Sequence, residues 1–459
     1  MRNFPTHFWK RFQDHKERTA FITASSGKQP GEETYWEWTR RVQRLALGLM
    51  ATGFEPGTRV GMVAPNSQAW LDFAFATWLI GGCVVPLVAD RERRETLRCL
   101  ARSGCDWIVT RDQRARLDLR GQASSLPDHL QWVVLEGDDE GVSGASNVHT
   151  FKSLEEAGRD RLRRGGLNAL AERTYGLDAK LAALILFEPE PGPDPHAAYF
   201  SGGRLAIMLE YLSRDLALED DSCLAVLLSY GWLSAPLFTL AALLNGHTVA
   251  MAATLSELNA SLSSLRPTHL VCGPAFLEGQ SSRWRQRIEA APEFLRRLAD
   301  PDAEGTFDTL SRAMGLVGER AAQKLIYEPM KSEFGGKLRS IYVWGGSVPD
   351  DVYDILDHAK IEVLGHFGFA ECGVSHMEHP GARRRHSVGR PVHGYACKIA
   401  GAKAEGTGEV MIRADVLFDG YWAGAEGPRE VDEHGWLKTG AVGHIHSGYL
   451  FLGDAPSST

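Results

Sequence analysis

An α/β fold built on mostly parallel sheets is what this sequence predicts, and three observations carry the prediction. Strand-like and helix-like stretches alternate from residue 54 onward, the pattern of parallel strands joined by helical crossovers. Leu181-Ala-Ala-Leu-Ile-Leu-Phe187 is an unbroken apolar run, the mark of a strand buried on both faces. The chain has 459 residues, enough for two or three packing units.

Composition narrows the function classes. Hydrophobic residues make up 44% and charged residues 24%, an ordinary globular balance. A net charge of −8 argues against a generic nucleic-acid binder. The seven cysteines form no Cys-x-x-Cys pair, which reads as reduced thiols in a cytoplasmic setting. No signal-peptide core and no run of about 18 apolar residues is visible.

The elements follow in order. After an aromatic-rich opening, Phe21-Ile-Thr reads as a strand and Gly27 to Glu33 as a turn. Thr34 with Glu37 has the capping-box spacing, so a helix starts there. Val42, Leu45, Ala46 and Leu49 form its apolar face, and Gly53 stops it. Arg59-Val-Gly-Met-Val-Ala, a helix over 67–80, and Cys83-Val-Val-Pro-Leu make a βαβ-like unit. Residues 91–104 read as a basic helix, Trp107-Ile-Val-Thr and Gln131-Trp-Val-Val-Leu as strands, and 136–150 as an acidic surface loop.

The run ending at Phe187 leads into Glu188-Pro-Glu-Pro-Gly-Pro-Asp-Pro-His-Ala197, and a helical pattern begins at Leu205. A strand–loop–helix junction is where α/β proteins bind phosphate on backbone amides. This loop has that position without the chemistry. Its prolines lack an N–H. Glu188, Glu190 and Asp194 would repel an anion: one like-charge pair at 4 Å costs roughly 1 kcal/mol in water and about 4 kcal/mol at an effective dielectric of 20.

Further on, 221–250 reads strand, aromatic turn, apolar helix, Asn-Gly stop, strand, with Tyr230 and Trp232 at the turn. Residues 279–338 are charged and helical. Leu338-Arg-Ser-Ile-Tyr-Val-Trp-Gly345-Gly346-Ser-Val-Pro and Ile361-Glu-Val-Leu-Gly-His-Phe367-Gly368-Phe-Ala370-Glu371 are two strands with glycine-containing ends. His386-Ser-Val-Gly-Arg-Pro, Gly408-Glu-Val-Met-Ile-Arg, Gly420-Tyr421-Trp422 and Asp432-Glu-His-Gly-Trp-Leu-Lys-Thr-Gly-Ala441 close the chain.

Together with Gly53-Phe-Glu-Pro-Gly-Thr-Arg-Val, Pro65-Asn66 and Gly81-Gly-Cys-Val-Val-Pro, these motifs resemble the adenylate-forming superfamily in order and type. That superfamily contains acyl-CoA synthetases, luciferases and peptide-synthetase adenylation domains. The layout before residue 339 is similar to the long-chain fatty-acid branch. The resemblance implies two doubly wound α/β subdomains over residues 1–380 and a small β-rich subdomain over 381–459. It also implies a mobile C-terminal lid domain bearing the catalytic lysine, which this chain is expected to lack.

By the same resemblance Gly345 and Gly346 cradle adenine, and Phe367 with Gly368 replaces a Tyr-Gly whose ring stacks on it. Glu371 is the magnesium ligand, and Tyr230 and Trp232 border the acyl pocket. Four places depart from the pattern. Glu188, Glu190, Pro191, Pro193 and His196 replace the hydroxyls and lysine of the phosphate loop, with only Pro195 in place. Ala370 replaces a threonine that meets phosphate. Ala441 replaces the aspartate that takes both ribose hydroxyls. The fourth departure is the expected absence of the lysine domain. An unmade buried hydrogen bond costs roughly 1–3 kcal/mol.

Other constellations have plainer readings. His376-x-x-His379 beside Glu378, and His444-x-His446, have ligand-type residues without a fourth partner or helical context, so no metal is expected. Arg383-Arg-Arg could meet an anion but reads more simply as a solvated turn. No Gly-x-Ser-x-Gly elbow is present.

The expected function is therefore a catalytically degenerate long-chain acyl-CoA synthetase-like protein, cytoplasmic, with ATP and magnesium binding lost or weak. It would bind or scaffold an acyl chain, acyl-CoA, an acyl carrier protein or an active paralogue, and no nucleic acid. The alternative is a residual ATP-dependent ligase completed by a separate lysine-bearing domain. An unrelated activity in the same cleft also fits the fold.

Overall fold

The computed structural model describes residues 3–24, 29–121, 126–127, 129–137, 146–188, 194–290, 323–344, 346–402 and 406–453. Phe294 to Leu298, an amphipathic stretch expected within the charged helical region 279–338, lies outside these residues, as do Glu190, Pro191, Pro193 and Gly345. Three sheets organise them.

The eight-stranded sheet runs Gly420–Tyr421, Ala197–Ser201, Ala182–Phe187, Cys83–Pro86, Arg59–Val63, Trp107–Thr110, Gln131–Val134, Val148–Thr150. From Ala182–Phe187 onward its strands are parallel. The nine-stranded sheet runs Arg390–Pro391, Gly373–Met377, Glu362–Phe369, Ser340–Val343, His269–Cys272, Cys223–Val226, Thr248–Met251, Thr19–Thr23, Gly31–Thr34. Its six central strands are parallel and both margins antiparallel. The four-stranded sheet, Tyr395–Ala400, Gly408–Ala414, Leu437–His446, Tyr449–Leu452, is antiparallel throughout.

The core between the large sheets follows from two helices without a polar face. Gln68–Leu79 buries every residue from Trp70 on, and Ser234–Leu244 is buried throughout. A helix apolar all round belongs in an interior. The N-terminal helix Phe4–Asp14 adds Phe4, Phe8 and Phe12, whose rings meet Trp38, Phe75 and Trp78 at 4.8–5.4 Å between centroids. Such pairs each contribute about 0.5–1.5 kcal/mol beyond area burial.

Local predictions survive where the signal is local. The capping box forms: Glu37 N donates to Thr34 Oγ at 3.2 Å, and Thr34 N to the Glu37 carboxylate at 2.9 Å. The helix spans Tyr35–Ala51 and buries Val42, Leu45, Ala46 and Leu49. Three readings are corrected. Part of the expected turn, Gly31–Thr34, is an edge strand, and Val148–Thr150 in the expected acidic loop is another. Both are short edges whose polar residues hide their pairing.

The third correction concerns the loop after Phe187. The chain returns as a strand, Ala197–Ser201, antiparallel to Ala182–Phe187, and the helix begins only at Gly202. The junction is a hairpin followed by a helix. That puts the helix start at the other end of the strand pair. Its amides are already used there: Gly202 N and Gly203 N donate to Leu181 O and Ala179 O at 2.8 Å, and Ser201 N to Asp419 at 2.6 Å. The helix N-terminus is thus satisfied within the chain rather than aimed at the loop.

Candidate functional site: an arginine at the meeting of three sheets

Glu188 follows the last strand residue, Phe187, in the eight-stranded sheet. Glu371 stands just past Glu362–Phe369 in the nine-stranded sheet. Thr439 lies in a strand of the four-stranded one. One side chain joins them. Arg429 donates through Nη1 to both carboxylate oxygens of Glu371 at 3.2 Å each, and also to Glu188. Its Nε donates to the Thr439 carbonyl at 3.0 Å, and the guanidinium lies 3.9 Å over the Phe369 ring.

Tyr421 completes the cluster. Its hydroxyl donates to Glu371 Oε1 at 2.7 Å and accepts from Arg429 N at 3.1 Å. The Glu371 side chain is 1% exposed and that of Arg429 14%. A carboxylate so buried requires a partner. Burial works against the Arg429 charge, but Glu371 and Glu188 more than offset it and hold its pKa above the ordinary value. Burial, then the Glu371 carboxylate, push the Tyr421 phenol well above its usual range, so it stays a donor.

The sequence-predicted residues distribute around this cluster. His196 sits beside Tyr421 at 6.0 Å between rings, with Nδ1 3.2 Å from the Glu426 carbonyl. Ala370 is buried. Ala441 packs half-buried on the core, its N–H donating to Thr439 Oγ at 3.1 Å. Phe367 is largely buried, its ring 5.0 Å from Phe369 and 6.0 Å from His376. Gly368 has a packing reason: a Cβ there would lie 1.8 Å from the Gly373 carbonyl oxygen. Gly346 follows the Ser340–Val343 strand with Pro274 beside it.

Tyr230 is fully packed, 4.7 Å from the Trp70 ring, its hydroxyl facing Thr239 and Met251. The cavity beside it is about 10 Å³, room for about one water. Trp232 is half-buried against the core. His376 is buried on Ser375 at 3.0 Å, and no group of three or more His, Cys, Asp or Glu converges among the described residues. Arg384 and Arg385 are exposed at a turn, but Arg383 and Arg385 are not free there. They pair with Asp354 and Asp357 of the Asp350–His358 helix.

Arg429 and the role of Tyr421 escape sequence reasoning. Arg429 stands in a Gly-Pro-Arg-Glu stretch without periodicity. The one usable signal is indirect: a retained, buried Glu371 must find a cation somewhere. Tyr421 and Arg429 also face an open cleft of about 720 Å³ lined further by Arg204, Asp419, Glu426 and Glu430.

Two large, mostly parallel sheets around a shared core, with a small antiparallel sheet completing the site, define the N-terminal lobe of an acyl-CoA synthetase-like fold. The chain belongs to the AMP-binding enzyme family, whose profile matches residues 8–186 and 195–422. The match passes over 187–194, the stretch holding Glu188. Long-chain-fatty-acid–CoA ligase FadD15 of Mycobacterium bovis is 22% identical over 433 residues, covering 91% of this chain and 68% of that protein. A feruloyl-CoA synthase of an Amycolatopsis species is 24% identical over 437 residues, covering 92% and 73%. The N-terminal domain of FACL13 from Mycobacterium tuberculosis shares the fold, with a TM-score of 0.72 at 19% identity, covering 99% of this chain and 100% of that one. Among the described residues no helix is long and apolar enough to cross a membrane.

The carboxylate that would hold the metal is engaged by Arg429. Glu188 and Glu371 both accept from the one guanidinium of Arg429. Ala370 and Ala441 offer no side-chain oxygen to the phosphate or the ribose.

Proposed function

We propose that this chain is a degenerate member of its family: it keeps the lobe as a binding or scaffolding unit and does not adenylate a carboxylate. The observation that carries the reading is the Arg429 guanidinium on Glu371. To reach Glu371 a divalent cation would have to displace this guanidinium: the +1/+2 pair alone costs about 8 kcal/mol at 4 Å and an effective dielectric of 20, against the attraction of Glu371 and Glu188. The candidate ligands are an acyl chain or acyl-CoA; the candidate protein partners are an acyl carrier protein and an active paralogue. Free thiols fit a reducing compartment such as the cytoplasm.

The test is ATP–pyrophosphate exchange with a panel of fatty and aromatic acids, beside thermal shifts with magnesium–ATP and with acyl-CoA. A ligand that binds only the folded state raises its melting temperature. The expected result is no exchange above the protein-free control, no shift with magnesium–ATP, and a rise with acyl-CoA or fatty acid. Exchange above that control would sink the proposal.

The second reading, a residual ligase, draws on the retained Glu371 carboxylate and Phe367 ring. It requires Arg429 to leave Glu371. If it holds, Arg429→Ala should restore a magnesium–ATP shift in the presence of a separate lysine-bearing domain.

A further inference from the structure

The outer face of the four-stranded sheet is the strongest feature that the cleft does not use. Directly paired residues share a face, as do alternate residues along a strand. Lys398 pairs with Met411, Met411 with Lys438, Glu409 with Val442, His444 with Phe451 and His446 with Tyr449. Lys398, Glu409, Arg413, Lys438, His444, His446 and Tyr449 therefore share one face, and the single carboxylate among them, Glu409, accepts from Gly440 N at 3.2 Å. Val410, Ile412, Leu437 and Leu450 take the other and are buried.

On the outer face, cations are held by rings. Lys398 Nζ lies 4.2 Å and the Arg413 guanidinium 4.7 Å from the Trp436 ring centroid. Arg390 lies 4.5 Å and Arg384 5.8 Å from the Tyr449 centroid. Among the described residues, none of these four forms an ion pair, whereas Arg383 and Arg385 flanking Arg384 are both paired to aspartates. Asp432, the carboxylate whose charge interacts with Lys398, is already accepting the N–H groups of His434 and Trp436 at 2.9 Å. An aromatic clamp fixes a cation without neutralising it. That leaves four pre-positioned positive charges on a protein of net charge −8.

We infer that this face docks an acidic helix of a protein partner, with carboxylates clustered at two places along it. The spacing sets the partner's geometry. From the Lys438 end to the His446 end the register covers about six residues of strand, or ~20 Å. A helix of about 13 residues spans the same length. An anionic lipid surface fits less well, because binding there also needs apolar insertion. Ile445 and Leu452, the exposed apolar residues of these strands, alternate onto the opposite face. The inference is independent of the nucleotide cleft, since none of its residues touches Arg429 or Glu371.

The test uses the full chain and a labelled 16-residue helical peptide carrying glutamate pairs at both ends, read by fluorescence anisotropy at about 50 mM and about 200 mM salt. Wild type should bind it, more weakly at the higher salt. Combined Lys398→Glu, Arg413→Glu, Arg384→Glu and Arg390→Glu should weaken binding about tenfold or more, and Arg384→Lys, Arg390→Lys and Arg413→Lys should keep it within about threefold. Circular dichroism checks each fold. If the reversal variant does not fold, the two pairs of Gln substitutions, Lys398→Gln with Arg413→Gln and Arg384→Gln with Arg390→Gln, should each weaken binding about threefold. Failure of the peptide to bind wild type, or equal binding by the charge-reversed or Gln variants, would overturn the inference. Capture of phosphatidylglycerol vesicles or polyuridylate in place of the peptide would overturn it as well.

Discussion

Arg429 Nη1 stands 3.2 Å from each carboxylate oxygen of Glu371, a side chain only 1% exposed. Removing the cation alone strands a buried charge. Arg429→Ala should therefore cost about 3–5 kcal/mol in urea unfolding. Arg429→Met with Glu371→Gln should recover most of that, because the carboxylate left without a cation, Glu188, is 32% exposed and reaches water. A double-mutant cycle showing additive losses would mean that the two groups do not interact in solution.

Two helices cross at glycines. A Cβ on Gly48 would lie 2.0 Å from the Leu154 carbonyl oxygen, and one on Gly158 1.7 Å from that of Arg44. Arg44 and Glu155 bridge the same helices at 2.8 Å. Gly158→Ala must push the Tyr35–Ala51 and Phe151–Arg163 helices apart and should cost about 1–3 kcal/mol, the range of overpacking. Thermal unfolding reads it, with Gly121→Ala, where nothing lies within 4 Å, as the control.

The capping box makes a smaller claim. Thr34→Ala removes the acceptor for Glu37 N and should cost about 1 kcal/mol. Thr34→Ser should cost less than half of that, since the hydroxyl remains.

Buried imidazoles set the acid limit. Burial lowers His366 and His376 to about 3, and His247 and His269 to about 4, from 6.5. In the folded state they stay neutral while the unfolded chain takes up protons below 6.5. Stability is thus full above that pH and falls as pH drops toward 4, by about 1.4 kcal/mol per pH unit for each imidazole. Both nitrogens of His366 lack partners, and its ring packs on Phe238 and Trp344. His366→Phe should remove one imidazole's share of the slope and gain about 1 kcal/mol near neutral pH. Urea midpoints at about pH 7.5 and about pH 5.5 measure both.

Much of the fold was legible because its signals are short-range. The Thr34 cap, the all-apolar helices and the Val/Ile/Leu strands each announce themselves within a dozen residues. The edge strands Gly31–Thr34 and Val148–Thr150 did not, since an edge needs little apolar sequence and draws its order from a neighbour. In the candidate site, the side-chain types at Glu188, Ala370 and Ala441 could be read directly. Arg429 could not, because it is 58 residues from Glu371 and 241 from Glu188.

By itself, then, the sequence determined which elements form and which chemical groups are present, since propensity, capping and side-chain identity are properties of neighbouring residues. Only the tertiary structure decided how they are shared out. Thr19–Thr23 joins strands two hundred residues downstream instead of the sheet built from 59–187. A loop arginine reaches two distant carboxylates. Pairing across such distances is set by the packing of whole sheets, where the energy of burying a surface or a charge depends on what arrives from elsewhere in the chain.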